Sequence, residues 1–242
     1  MHDFKFKGND LYCEKVKVAA VALKVGTPFY LYSYNTIADH FTKIQKAFAP
    51  LNPTICYAMK ANGNLAIIKS LVDLGAGVDI VSGGELKKAL MAGADPRKIV
   101  FASVGKTEEE IALAINKGIL FFNVESQPEL EEINRVAKKI GKRTQVALRI
   151  NPDVPAPTHE YITTGSLKKK FGIDLRTTKQ IFKSQKKYSH VAINGIHIHI
   201  GSQITSGEPF VGAIKKVVKF IDELRAEGIT IEYLDIGGGL GI

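Results

Sequence analysis

The sequence predicts an α/β protein built on a parallel sheet, and three observations carry that prediction. Short apolar runs bounded by turn residues alternate with amphipathic helical patterns along nearly the whole chain. The runs are almost continuously apolar, as strands buried on both faces require. Three of the helices open on the same hydroxyl-to-glutamate pattern within a few residues of a strand, which describes short strand-to-helix loops and crossover units. Pattern alone leaves a doubly wound open sheet and a closed (β/α)8 TIM-type barrel both open. The barrel is favoured because chemically active residues stand at the carboxyl ends of many strands rather than at one switch point. On that reading seven barrel strands are present and the chain stops one strand short.

Residues 1–26 hold a short start and then a helical pattern ending near Gly26. Residues 28–33, Pro-Phe-Tyr-Leu-Tyr-Ser, are strand-like. Residues 35–48 set Ile37, Phe41, Ile44 and Phe48 on one side of an amphipathic helix. Strands are then expected at 54–60, 78–82, 99–103, 120–125, 146–151, 195–201 and 233–237, with helices between them and one irregular insertion at 152–171. The repeated helix start reads Ser82-Gly-Gly-Glu85, Thr107-Glu-Glu-Glu110 and Ser126-Gln-Pro-Glu129. Each is a capping box, in which the hydroxyl accepts from a free backbone N–H and the glutamate returns the bond. The chain divides into an amino-terminal segment, 1–33, leading into a barrel domain, 34–242.

Composition narrows the function classes. The 242 residues are 45% hydrophobic and 24% charged, ordinary for a soluble globular protein. No apolar run is long enough to span a bilayer and no charged-then-apolar leader opens the chain, so a cytoplasmic protein without a membrane partner is expected. Cys13 and Cys56 lie too far apart for a metal knuckle or a disulfide framework and are expected to be reduced. The net charge of +9 invites a nucleic-acid partner. The lysines, however, are scattered along helices apart from Lys168-Lys169-Lys170 and Lys186-Lys187, and no aromatic-rich RNA-binding signature accompanies them. Solvated helix faces explain the charge better.

The chemistry-bearing residues sit at strand ends. In Tyr57-Ala-Met-Lys-Ala-Asn62, Cys56, Ala58 and Lys60 share one strand face, with small side chains beneath the lysine. An ammonium against an apolar wall is desolvated, its pKa falls, and the free amine can attack a carbonyl to form a Schiff base. A lysine snorkelling from a strand end is the bland alternative. Asp79 and Ser82 end the second strand, Arg149 and Asn151 the fifth, and His197, His199, Ser202 and Gln203 the sixth. Asp235 with Gly237-Gly238-Gly239 ends the seventh. An His-x-His zinc site from His197 and His199 lacks the further histidines and carboxylates it needs, so no metal is expected. His197 reads as a core histidine with a satisfied hydrogen bond, and His199 as an imidazole lying against a planar ligand. The glycine triplet is a tight turn or an anion cradle; beside Gly201-Ser202 on the neighbouring strand it reads as the cradle. A lysine able to form an imine, an imidazole platform and a phosphate cradle together suggest pyridoxal 5'-phosphate.

Seven segments then carry a resemblance: Gly26-Thr-Pro-Phe-Tyr-Leu-Tyr32, Tyr57-Ala-Met-Lys-Ala-Asn62, Asp79-Ile-Val-Ser-Gly-Gly-Glu85, Arg149-Ile-Asn-Pro152, Lys170-Phe-Gly172, His197-Ile-His-Ile-Gly-Ser-Gln203 and Asp235-Ile-Gly-Gly-Gly-Leu-Gly241. In this order they resemble the amino-terminal part of the diaminopimelate decarboxylases. These form one branch of the fold-type III pyridoxal-phosphate family, with ornithine and arginine decarboxylases and alanine racemase. The resemblance implies a barrel of that type and loss of CO2 from meso-2,6-diaminopimelate to leave L-lysine. It implies that Lys60 holds the cofactor covalently, that His199 stacks on its ring, and that Ser202 with Gly237, Gly238 and Gly239, chiefly Gly238, binds its phosphate. Asp79 would lie close to Lys60 and keep it charged or oriented; Lys60 and His199 are the implied catalytic residues. Arg149 is either structural or near the ring, and Glu85 a helix cap. The segment Thr158-His-Glu-Tyr-Ile-Thr-Thr-Gly165 with Lys170 resembles the decarboxylase rather than the racemase branch.

The family continues into a Glu-Pro-Gly-Arg strand and a β-sandwich domain with a Cys-Glu-Ser motif, which this sequence does not contain. The chain alone is therefore expected to be an inactive fragment of a homodimeric enzyme, with the edges of its first and seventh barrel strands exposed. A decarboxylase of ornithine, arginine or carboxynorspermidine, and a non-catalytic cofactor-binding protein, are the competing expectations.

Overall fold

The computed structural model describes residues 2–152 and 171–241. Three short strands, β1 (Phe4–Lys7), β2 (Asp10–Cys13) and β3 (Val16–Lys17), form an antiparallel meander that runs directly into α1 (Val18–Val25). The sequence pattern did not foresee this meander. Its strands have two to four residues and mostly half-exposed side chains, so they leave little alternation to read. Residues 28–33 join no sheet, contrary to the strand expected there. The segment is extended and ends in Ser33, whose hydroxyl accepts from Thr36 N and caps α2 (Tyr34–Phe48). Glu14 ties the meander to this cap, accepting from Ser33 Oγ at 2.8 Å and from Asn35 N at 2.9 Å.

Seven parallel strands then alternate with helices: β4 (Cys56–Ala58), α3 (Leu65–Asp73), β5 (Gly77–Ile80), α4 (Gly83–Met91), β6 (Ile99–Ala102), α5 (Glu108–Lys117), β7 (Phe121–Val124), α6 (Gln127–Ile140), β8 (Thr144–Arg149), α7 (Leu175–Lys183), β9 (Val191–His197), α8 (Glu208–Ala226) and β10 (Tyr233–Asp235). Their order in the sheet is β10-β9-β8-β7-β6-β5-β4, the order of the sequence without reversal. A doubly wound sheet reverses at its switch point, so that alternative is excluded. The residues of the 152–171 insertion other than Pro152 and Phe171 lie outside the described ones, as do Thr158 to Gly165 and Lys168 to Lys170.

Alternation along each strand sorts the core into two faces. Val78, Ile80, Phe101, Phe122, Val124, Val146, Leu148 and Ile196 point outward and pack with Ile68, Leu86, Ile111, Leu130, Phe182 and Val217 of the helices. A separate inner cluster is built on Val100, Phe121 and Ala147, with Cys56 of β4 and Tyr233 of β10 packed against it. Side chains from the two edge strands thus reach one cluster because the sheet curls. The Phe121 and Tyr233 rings stand 5.5 Å apart, and Asn123 of β7 donates to Asp235 of β10 at 2.8 Å across the same interior. The result is a barrel of seven strands, open between β4 and β10 among the described residues.

Each strand stops one or more residues short of the apolar run that announced it. The carboxyl ends break from the ladder to enter the loops and caps. Lys60 lies in a single 3-10 turn after β4, Met59–Ala61, rather than on the strand itself. Only Thr107 and Glu110 close a full capping box. Ser82 and Ser126 accept from Glu85 N and Glu129 N as expected, but both glutamates reach one residue further back, to Val81 N and Glu125 N.

Candidate functional site

The carboxyl ends of the seven strands face one mouth, as strand direction in a parallel barrel dictates. Lys60 is exposed there, and among the described residues it makes no ion pair. The desolvated lysine expected from the sequence is therefore not what the fold presents. Its turn is held from below. Tyr57 Oη donates to the Asn62 carbonyl at 3.1 Å and Asn62 Nδ2 to Tyr32 Oη at 2.9 Å. Asn62 Oδ1 accepts from Asn64 N, and Asn64 caps α3.

Asp79 stands on β5 in register with Ala58, the last residue before the Lys60 turn. Burial, with Asp235 adding to it, pushes its carboxyl up to about 7, while the Lys60 ammonium pulls the other way. Its Oδ1 is buried without a hydrogen-bond partner. Proximity to Lys60 is thus present as an electrostatic coupling rather than as a closed ion pair.

The turn after β10 and the loop after β9 are laced together. Ile204 N donates to the Gly239 carbonyl at 2.9 Å and Gly241 N to the Ile204 carbonyl at 3.0 Å. Asp235 Oδ1 accepts from Gly237 N at 2.8 Å, and Gly238 N approaches His199 Nδ1 at 3.5 Å. Two of the three glycines are required by the fold. Gly237 (φ +69°) and Gly239 (φ +96°) occupy left-handed backbone, and a Cβ would overlap the carbonyl oxygen of Ile198 or Gly201 respectively. Gly238 has neither constraint: a Cβ there would meet nothing. Its exposed amide and the exposed Ser202 lie on these joined loops.

His199 is half-buried, and burial, reinforced by the charges of Arg149 and Lys60, lowers it to about 4; the ring is neutral near pH 7. His197 is 5% exposed and likewise lowered to about 4, chiefly by burial. Its Nδ1 has no partner, so the satisfied core histidine expected from the sequence is corrected on that point. Among the described residues no group of three or more histidine, cysteine, aspartate or glutamate side chains could hold a metal ion. Arg149 is committed to Glu125 through Nη1, at 2.9 and 2.8 Å from the two carboxylate oxygens, and it lies over the Phe171 ring.

Two residues under the mouth escaped sequence reasoning. Lys106, its side chain wholly buried, donates to the carbonyls of Ser103 and Asn123 and to Glu129 Oε1. Asn123, 1% exposed, is the donor to Asp235 already described. The only signal for Asn123 was one amide inside Phe-Phe-Asn-Val; Lys106 looked like a loop lysine beside Gly105.

A family model described as pyridoxal-dependent decarboxylase, pyridoxal binding domain, matches residues 34–242. A diaminopimelate decarboxylase of Neisseria meningitidis serogroup B is 49% identical over 232 residues, 96% of this chain and 56% of that protein. The crystal structure of diaminopimelate decarboxylase from M. jannaschii superposes with a TM-score of 0.91 at 40% identity, covering 99% of this chain and 57% of that one. That of diaminopimelate decarboxylase from Helicobacter pylori complexed with L-lysine gives 0.88 at 41% identity, covering 93% and 57%. The chain spans little more than half the length of these relatives.

Proposed function

The chain belongs to the pyridoxal-dependent decarboxylase family, and from that premise we propose that its protein removes CO2 from meso-2,6-diaminopimelate to leave L-lysine. The relatives at 40–49% identity support the substrate, and the site supports the cofactor, pyridoxal 5'-phosphate. The observation that carries the reading is Gly238. A glycine that no backbone strain or neighbour demands, set between two that are demanded, keeps clear the space in which a phosphate meets amides.

In this reading Lys60 Nζ would hold the aldehyde end, the neutral His199 ring would lie against the pyridine face, and Ser202 Oγ with the Gly237–Gly239 turn, chiefly Gly238, would bind the phosphate. When bound, the cofactor supplies an electron sink for the pair left by departing CO2. The protein's own part is orientation and proton handling. The Tyr57–Asn62–Tyr32 bonds fix the turn that carries Lys60. Asp79, its carboxyl pushed up to about 7 chiefly by burial, offers an unpartnered Oδ1 close to the Lys60 turn as a site that can hold a proton. A neutral His199 ring adds no charge beside the site. Residues 1–33 lead into the barrel and 34–242 bind the cofactor. A homodimer in the cytoplasm completes the proposal, and two free thiols are in keeping with that compartment.

The test is reduction with borohydride of the full-length protein loaded with pyridoxal 5'-phosphate, followed by peptide mass spectrometry, and CO2 release from diaminopimelate, ornithine and arginine. A cofactor mass on the Lys60 peptide and release from diaminopimelate alone are expected. An unmodified Lys60, or preference for another of the amino acids, would overturn the reading.

A further inference from the structure

One amide inside the sheet has no role in the chemistry above. Asn123 lies in the apolar run of β7, three strands from β10, where an aliphatic side chain would pack without the cost of burying a polar group. Its Nδ2 donates to Asp235 Oδ2 at 2.8 Å, while Asp235 Oδ1 accepts from Gly237 N at 2.8 Å. One carboxylate therefore joins the inner face of β7 to the first amide of the glycine turn. Asn123 is itself pinned, because Lys106 Nζ holds its backbone carbonyl at 2.8 Å and is anchored on Glu129. The side-chain amide has one useful orientation: turned over, its oxygen would face the carboxylate.

We propose that Asn123 is a positioning residue for the anion cradle, holding Asp235 in the rotamer that pins the Gly237 amide and so fixes the turn presenting Gly238 to a phosphate. An uncharged donor suits the task. A lysine would neutralise Asp235, and an aliphatic residue would leave the carboxylate free to turn. A second carboxylate would crowd a site where Asp235 already faces Asp79 from β5, Cys56 from β4 and the His197 and His199 rings of the β9 end, with the Lys106 ammonium behind.

The inference rests on reading the glycine turn as a phosphate site, and the experiment separates the two. Pyridoxal 5'-phosphate and pyridoxal are titrated into the full-length wild type, Asn123→Leu and Asn123→Asp at pH 6 and pH 8, with inorganic phosphate as competitor. Wild type is expected to prefer the phosphorylated form. Asn123→Leu is expected to lose roughly ten-fold of that preference, the worth of one charge-assisted hydrogen bond, while still binding pyridoxal. Asn123→Asp should lose the preference at pH 8 and regain it, relative to wild type, at pH 6, where a shared proton restores the bond to Asp235. A wild type without preference would sink the phosphate reading itself. Undiminished preference in Asn123→Leu, or in Asn123→Asp at pH 8, would sink the role of Asn123 alone, and a loss in Asn123→Asp that ignores pH would reduce it to packing.

Discussion

Within one turn of three residues, glycine is present for two different physical reasons. At Gly239 the backbone has φ +96° and a Cβ would overlap the Gly201 carbonyl, so the residue belongs to the lacing of two loops. At Gly238 nothing in the protein objects to a methyl group. Alanine substitution should separate these roles. Gly239→Ala is expected to destabilise the unloaded protein by about 2 kcal/mol or more, through strain and overlap. Gly238→Ala should stay within about 0.5 kcal/mol of wild type and instead weaken binding of pyridoxal 5'-phosphate, whose phosphate must meet the added methyl. Chemical denaturation without cofactor and a cofactor titration measure the two effects. Equal losses of stability would mean that Gly238 serves the fold after all. Sequence could nominate the triplet but not divide it, because the division depends on carbonyls of Ile198 and Gly201, some forty residues away in the chain.

Helix starts show how local and distant roles overlap on one side chain. Thr107 performs only the local role, accepting from Glu110 N at the head of α5. Glu110 returns the bond to Thr107 N through Oε2 and also accepts from Gly83 N through Oε1 at 2.7 Å, fastening α5 to the first turn of α4. The Gly83 amide is the main cause that holds its carboxyl below the usual glutamate range. Thr107→Ala should therefore cost about 0.5–2 kcal/mol, the usual loss of a cap, and Glu110→Ala more than Thr107→Ala, with thermal denaturation as the measurement. A smaller loss at Glu110 would deny the link between helices. The alternation of elements was legible because each strand and helix carries its period locally. So were the three cap positions, which need only a four-residue window. The meander 4–17 and the absence of a strand at 28–33 were not legible, since short edges and extended segments differ only in whether a partner strand arrives. That Lys60 and His199 stand just beyond the carboxyl ends of strands was legible from motif position. Lys106 and Asn123 were not, because burial of a loop lysine by Glu129 and bridging from β7 to β10 are properties of the curled sheet.

Curling the sheet gives the molecule a largely buried inner layer near its mouth that carries Asp79, His197 and Asp235, and this layer sets how stability responds to pH. His197 and His199 are lowered to about 4 from an ordinary 6.5. Between those values the unfolded chain binds more protons than the folded one, so their contribution to stability rises with pH across that window. Asp79 is raised from 3.8 to about 7, and buried Glu129 is raised as well. A raised carboxyl holds its proton longer when folded, so the Asp79 contribution falls as pH rises from about 4 to 7, and that of Glu129 acts in the same direction. The two sets oppose each other in the pH 5 to 6.5 interval. Carboxylates in surface ion pairs such as Glu108, lowered to about 2 by Lys139 and Arg135, act only further down. Replacing both rings, His197→Gln with His199→Gln, removes the first set and leaves the second. Denaturant-derived stability of the unloaded double variant should therefore decline as pH rises from about 5 to 6.5. The wild-type slope should be more positive by up to two protons, each worth about 1.4 kcal/mol per pH unit. Parallel slopes in the two proteins would show that the imidazoles under the barrel mouth remain free to take up protons in the folded state, and that the inner layer is wet.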